Sequence, residues 1–408
     1  MRLILSIILV FGLLSGASAQ GRYPADDIIY PSAIGREADV ALVRFYQQWK
    51  RIYLSDRCGD GQYFIDIRGD GKAAYGGSAD GTITVSEAHG YGMLITVMMA
   101  DFDPQAQQIF DGMVAYFKAH PADSSPGLMA WNQVEGCVDA GEDIGGSNSA
   151  TDGDLDIAYA LLLADKRWGS VGRYDYFAEA EIVMNAVLEF ELSANGSYLT
   201  IGDWVNLEDD QTYVNMTRSS DFMVSHYRAF EIATGDRRWR RLRRGTYTLM
   251  LKLAPITGLM PDFITGLPRH PVPAPAGILE GPNDGAYSWN AARYPFRIAL
   301  DYLLFTEPRA KLAMAPLNVW IVQATGGDPR RIASGYALNG AVLPDAYGNE
   351  MAFVSMFAVA AMLNPAGQDW LDALWHDIVA KNLNSEDYFG NTLKMLALLA
   401  LSGHWQAP

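Results

Sequence analysis

Cysteine is scarce: Cys58 and Cys137 are the only two in 408 residues. With six histidines scattered along the chain, no Cys/His spacing suits a zinc site, and neither a metal nor a cofactor is expected. In an oxidising compartment the two cysteines could form a bridge; two buried free thiols are the alternative. Cationic residues are also few, 31 Lys and Arg against 47 Asp and Glu, for a formal net charge of −16. That balance argues against nucleic acid or an anionic membrane as partner. Long apolar runs are missing except for Leu3 to Leu14, which falls short of the roughly 18 residues that span a bilayer. Arg2 before it and Ala17-Ser18-Ala19 after it make residues 1–19 a secretory signal peptide, so an exported protein beginning near Gln20 is expected. No Pro/Ser/Gly-rich linker and no fixed-period repeat appear, so one domain should fill 20–408. Nothing in the chain demands a partner subunit, and a monomer is expected.

Half the residues are hydrophobic, enough for a large core. Apolar positions recur at spacings of three and four, a helical signal. Twelve stretches carry it, near 34–54, 88–101, 104–120, 153–166, 172–193, 219–233, 236–253, 290–305, 308–324, 352–363, 367–379 and 387–402. Short turns such as Asp101-Phe-Asp-Pro104, Gly235-Asp236 and Pro365-Ala-Gly367 join many of them into antiparallel pairs. Longer Gly- and Asp-rich loops separate the pairs. The pattern predicts an all-α fold, a closed double ring of six helical hairpins with its long loops gathered at one end.

Two stretches stand out chemically. In Thr84-Val-Ser-Glu87-Ala-His-Gly-Tyr91-Gly-Met93 a β-branched run meets a helix start. Ser86 is a candidate N-cap, and Glu87 sits where the helix dipole favours a carboxylate. Gly90 and Gly92 weaken the helix and suggest close approach of another group. The second stretch, Ala150-Thr-Asp152-Gly-Asp154-Leu-Asp156-Ile-Ala158, likewise sets acids at the mouth of an apolar helix, with Asp152 or Thr151 as possible caps.

Ser86-Glu87 with Gly90-Tyr91-Gly92-Met93, and Ala150-Thr151-Asp152-Gly153-Asp154 through Ile157-Ala158 with Trp168, resemble the motifs of glycoside hydrolase family eight. The resemblance implies an (α/α)6 barrel, with the cleft formed by loops at one end. It implies Glu87 as general acid and Asp152, with Asp154, as contacts to the sugar at the cleaved bond. In many members an Asp lies three residues before an Arg-x-Pro-aromatic-Arg motif. Here that motif is Arg293-Tyr294-Pro295-Phe296-Arg297, and Asn290 holds the Asp position. An amide cannot act as a base. One branch of the family is similar in having Asn there and taking a Glu from the preceding loop, which points to Glu280, with Asp284 in reserve. Asn290 would then orient the water or the sugar.

Glycoside hydrolysis requires two carboxyl groups flanking the anomeric carbon. If the Glu87 pocket is apolar or ringed by carboxylates, that residue stays protonated at working pH. Trp131, Tyr91 and Tyr287 are candidate sugar platforms, as are Trp204, Trp289 and Tyr294. Arg218 and Asp221 could form a buried ion pair beside the cleft. Arg293 and Arg297 could pair with acids such as Asp301, with Arg293 lining the substrate site. His89 is as readily a core group as a participant. These readings give a secreted, inverting endo-β-1,4-glucanase, with β-glucan or chitosan as polymeric partner. Chitosanase, mixed-linkage β-glucanase and an inactive glycan-binding protein are the alternatives. A uronate lyase is disfavoured by the acidic loops. Asp139, Glu142 and Asp143, near Trp131, and Glu208, Asp209 and Asp210, near Trp204, could meet glucosamine ammonium groups or stand in solvent.

Overall fold

The computed structural model describes residues 22–59, 61–72, 79–205, 211–253 and 255–408. The expected signal peptide and Glu208 to Asp210 lie outside these. Among the described residues there are twelve α-helices: α1 Arg36–Tyr53, α2 Ser86–Met98, α3 Ala106–Ala119, α4 Thr151–Trp168, α5 Tyr176–Ala186, α6 Val224–Thr234, α7 Arg237–Leu253, α8 Tyr294–Phe305, α9 Pro308–Thr325, α10 Met351–Ala361, α11 Gln368–Ala380 and α12 Tyr388–Leu401. Each expected helix is present, most within a few residues of the expected bounds; the stretch expected over 172–193 is α-helical over Tyr176–Ala186 and continues as a π-helical turn over Val187–Glu191.

The even-numbered helices form the inner ring. α2 packs on α4, α4 on α6, α6 on α8, α8 on α10, α10 on α12, and α12 returns to α2. Their sequences show why. Every residue of α10 (MAFVSMFAVAA) and of α12 (YFGNTLKMLALLAL) is buried, as expected of helices apolar on nearly every side, although α12 also encloses Asn391, Thr392 and Lys394. The odd helices form the outer ring, each against an inner neighbour. They are one-sided: α1 buries Ala38, Leu42, Phe45, Tyr46, Trp49 and Tyr53, spaced at three to four residues. The architecture is an (α/α)6 barrel.

Links from an inner helix to the next outer one are short. Links back to an inner helix are long, apart from the short one between α11 and α12, and those leading to α2, α4, α6 and α8 carry small antiparallel strands. One three-stranded sheet joins Thr82–Val85, Asn132–Val134 and Val138–Asp139; another joins Thr217–Arg218, Phe263–Thr265 and Val272–Pro273. The second rests on its own small apolar cluster of Ile201, Val205, Met216, Phe263 and Ala274. Cys58 and Cys137 are bridged, tying the loop after α1 to the first of these sheets.

Two local expectations are corrected. Ser86 does not cap α2: it lies inside the first turn, Val85 holds the cap position, and the Ser86 hydroxyl has no hydrogen-bond partner among the described residues. Neither Thr151 nor Asp152 caps α4, which begins at Thr151 after Ala150. The Thr151 hydroxyl donates instead to the Thr200 carbonyl at 2.9 Å. The first turns of the two helices lie against each other. A Cβ on Gly153 would lie 2.6 Å from Ser86 Oγ, and one on Gly90 would lie 2.8 Å from Asp156 Cβ and 3.0 Å from the Gly153 carbonyl. The two glycines let α2 and α4 meet backbone to backbone, so the first turns that carry Glu87 and Asp152 sit side by side.

Candidate active site

The residues at the starts of the inner helices converge. Strand Thr82–Val85 delivers Glu87 into the first turn of α2, and the Ser86 amide donates to the Trp131 carbonyl at 2.9 Å, fixing the Trp131 loop alongside. Arg293, from the turn before α8, is the hub. Its Nη1 donates to Glu87 Oε2, to Asp152 Oδ2 at 2.8 Å and to the Tyr91 hydroxyl at 3.2 Å. Its Nη2 donates to Asn290 Oδ1 at 2.9 Å. Since arginine only donates, this contact fixes the amide orientation. The Asn290 Nδ2 then faces outward and donates to Glu280 Oε2 at 2.7 Å. A continuous polar chain therefore runs from Glu87 through Arg293 and Asn290 to Glu280.

The environments of the two glutamates differ. The Glu87 side chain is 19% exposed. Burial is the largest influence on its carboxyl, opposed by the Arg293 charge and reinforced by Asp152, and the result is a pKa raised to about 7. Glu280 is exposed on its loop. Asp284 holds that loop: its buried carboxylate accepts from the amides of Leu279 at 2.9 Å, Glu280 at 3.2 Å and Gly281 at 2.9 Å. It is thus occupied as an anchor for Glu280.

Asp152 is buried and doubly paired. Arg218 Nη2 donates to its Oδ1 at 2.8 Å while Arg293 takes Oδ2. Burial would push this carboxyl up, but Arg218 and Arg293 outweigh it and hold the pKa below the ordinary value. Arg218 Nε also donates to Asp221 at 3.1 Å, the ion pair expected from sequence. Arg297 differs from expectation. It binds Asp156 through two contacts, at 2.8 and 2.5 Å, whereas Asp301 is taken by Arg228 at 2.9 Å and by the Tyr247 hydroxyl at 2.7 Å. Arg297 on α8 reaches Asp156 on α4, two places round the inner ring, whereas Asp301, one turn further along α8, meets α6 and α7.

Not every candidate reaches the cleft. Asp154 is fully buried, accepting from the Met129 amide at 2.9 Å, and burial together with nearby Glu191 raises its pKa well above the usual range. Tyr287 is enclosed among Tyr336, Phe353 and Phe357 and offers no free ring face. Tyr91 is buried beneath Arg293. His89 is a core group whose Nε2 lies 3.0 Å from the Met113 carbonyl oxygen, and burial pushes its pKa down to about 3. Trp131 and Trp289 are half-buried. Trp131 Nε1 donates to the Gly145 carbonyl at 2.9 Å, and Trp289 packs with Tyr347 and Phe389, the latter 5.8 Å from the Arg293 guanidinium. Sequence reasoning missed Asp262. It is buried under the Asn290 turn, accepts from the Ser288 amide at 2.9 Å and the Ala291 amide at 2.7 Å, and burial raises it to about 8. Nothing in Pro261-Asp262-Phe263 sets this Asp apart from a surface one. Among the described residues no cluster of His, Cys, Asp and Glu could hold a metal ion.

An (α/α)6 barrel that gathers Glu87 and Asp152 on Arg293 at its loop-built end fits a glycoside hydrolase. The chain matches the model of glycosyl hydrolases family 8 over residues 45–403 and belongs to that family. It is 39% identical to a β-glucanase of Niallia circulans, over 92% of this chain and 88% of that protein. It is 36% identical to an endoglucanase of Bacillus sp. strain KSM-330, over 93% and 80%. A solved β-1,3-1,4-glucanase from Paenibacillus sp. X4 superposes with a TM-score of 0.86 at 37% identity, covering 94% of this chain and 97% of that one.

Proposed function

We propose that the protein is an inverting endo-β-glucanase that cleaves β-1,4 bonds. Glu87 donates a proton to the leaving oxygen, and its raised pKa keeps it protonated below about pH 7. Glu280 draws a proton from the attacking water on the opposite side of the sugar. Asp152, held as a carboxylate by Arg218 and Arg293, fixes the sugar at the cleaved bond. The observation that carries the reading is the chain Glu87–Arg293–Asn290–Glu280. It gives Asn290 the task of steering a neighbouring carboxylate, so the amide does not imply a lost base. Both proton transfers use side chains, with no metal or cofactor in the scheme. Trp131, and Trp289 with Tyr347, offer ring faces for the flanking sugars.

The β-glucanase and endoglucanase names of the relatives favour a glucan. The similarity to a β-1,3-1,4-glucanase supports mixed-linkage glucan as a substrate alongside cellulose-type chains. A chitosan reading rests only on Glu142 and Asp143, exposed close to the Gly145 carbonyl that Trp131 grips. We infer an exported monomer, cut near Ala19, with one catalytic domain over 20–408. The test is reducing-end release from carboxymethylcellulose, barley β-glucan and chitosan by wild type and Glu87→Gln. Cleavage of the glucans, lost by several orders of magnitude in the variant, supports the reading. Oligosaccharide binding without cleavage overturns it.

A further inference from the structure

The chain as a whole is strongly acidic, yet α7 opens Arg237-Arg-Trp-Arg-Arg-Leu-Arg-Arg244 and contains no acid. Six of the 31 cationic residues therefore fall in eight positions. α7 belongs to the outer ring and buries Trp239, Leu242, Thr246 and Tyr247 inward. Arg243 is buried with that side and pairs with Glu231. Arg238 pairs with Asp236, and Arg240 with Glu231. Arg237, Arg241 and Arg244 are exposed and have no carboxylate partner among the described residues. Positions 237, 241, 244, 248 and 252 follow each other at three to four residues and share one helix face. The stripe is about 22 Å long at 1.5 Å per residue.

The stripe ends in aliphatic side chains. Leu251, one face-repeat after Arg244, is 74% exposed, and Ile256 just beyond the helix is 92% exposed. Lys252 stands beside them, its Nζ donating to the Pro268 carbonyl at 3.4 Å, and exposed Arg269 follows Pro268. Unpaired arginines alone would suit any polyanion. Arginines leading to two solvent-facing aliphatic tips suit a surface that is anionic outside and apolar a few ångströms in.

We propose that the α7 face is a docking surface for an anionic phospholipid bilayer. Arg237, Arg241 and Arg244 meet phosphates, and Leu251 and Ile256 enter the boundary between headgroups and acyl chains. The net charge of −16 does not oppose this at contact, because charges further than about 8 Å are screened at physiological salt. It orients the molecule instead, since other faces are repelled. α7 lies on the barrel flank, so the cleft at the inner-helix starts remains open to a polymer.

The test is co-sedimentation with phosphatidylglycerol vesicles and phosphatidylcholine vesicles, at low and high salt. Wild type should bind only the former, and lose binding at high salt. Joint replacement Arg237→Gln, Arg241→Gln and Arg244→Gln should weaken binding roughly a hundredfold. Leu251→Ser with Ile256→Ser should weaken it while leaving its salt dependence in place. Thermal melting and glucan cleavage, which the α7 face does not touch, should match wild type and show that the variants are folded. Failure of wild type to bind phosphatidylglycerol, equal binding by the triple variant, or binding to soluble polyglucuronate in place of vesicles overturns the proposal.

Discussion

Arg293 gives both glutamates their setting. It lowers the cost of a charge on Glu87 without cancelling burial, which leaves that carboxyl near pH 7. Activity should therefore hold through mildly acid pH and fall as pH rises through about 7, where the proton donor is lost; a pH profile of kcat on barley β-glucan checks this. The amide of Asn290 carries a second expectation. Glu280→Gln should lose activity by several orders of magnitude, and adding Asn290→Asp to that variant should recover part of it, since the new carboxylate lies where the Glu280 partner was. Parallel kcat measurements on the single and double variants read the difference. At this scale the motifs singled out Glu87, Asp152 and Asn290, and the structure brings these three side chains together on Arg293. The sequence was less legible at Asp154 and Tyr287, because spacing along a helix or loop does not say whether a side chain turns to the cleft or the core. Asp262 was invisible, since its partners come from a turn 26 and 29 residues away in sequence.

The crossing of α2 and α4 fixes the acid end of the site. Gly90→Ala would push a methyl to 2.8 Å from Asp156 Cβ and 3.0 Å from the Gly153 carbonyl, and neither neighbour can yield easily. The expected cost is about 1–3 kcal/mol, read as a lower denaturation midpoint, with activity falling more than stability because Glu87 is displaced. The Cys58–Cys137 bridge closes a segment with a sequence separation of 79. Joint replacement by serine should cost about 2–4 kcal/mol in chemical denaturation and spare activity at room temperature, because the chain Glu87–Arg293–Asn290–Glu280 does not run through either cysteine. Helices were the most legible elements. All twelve follow from apolar spacing, and their short and long links foretold the double ring. The small strands were not foreseen, being two to five residues each and stabilised by neighbours far along the chain.

The whole molecule holds several carboxyls largely out of water, Glu87 beside Arg293, and Glu191, Asp262 and Glu350 without a cation partner among the described residues. Burial, the first cause in each, raises Glu87 to about 7, Glu191 and Asp262 to about 8 and Glu350 to about 9. The folded state thus holds protons that the unfolded chain releases above its ordinary carboxyl range. Stability from these groups is fully present below that range and is lost as pH rises through about 7 to 9. Glu307, lowered to about 2 chiefly by its hydrogen bonds to Arg309, acts oppositely and loses its contribution in acid. The melting temperature should therefore peak at mildly acid pH and decline towards pH 9, as differential scanning calorimetry across that range would show.

The central claim is that two carboxyl groups, Glu87 and Glu280, act on opposite sides of the sugar with a water between them. Proton NMR of the first sugar released from a β-glucan oligosaccharide, recorded before mutarotation, tests it most directly. Initial appearance of the α-anomer is the predicted result, because water enters opposite the departing group. Initial appearance of the β-anomer would mean a covalent intermediate and would contradict Glu280 as the water-activating base.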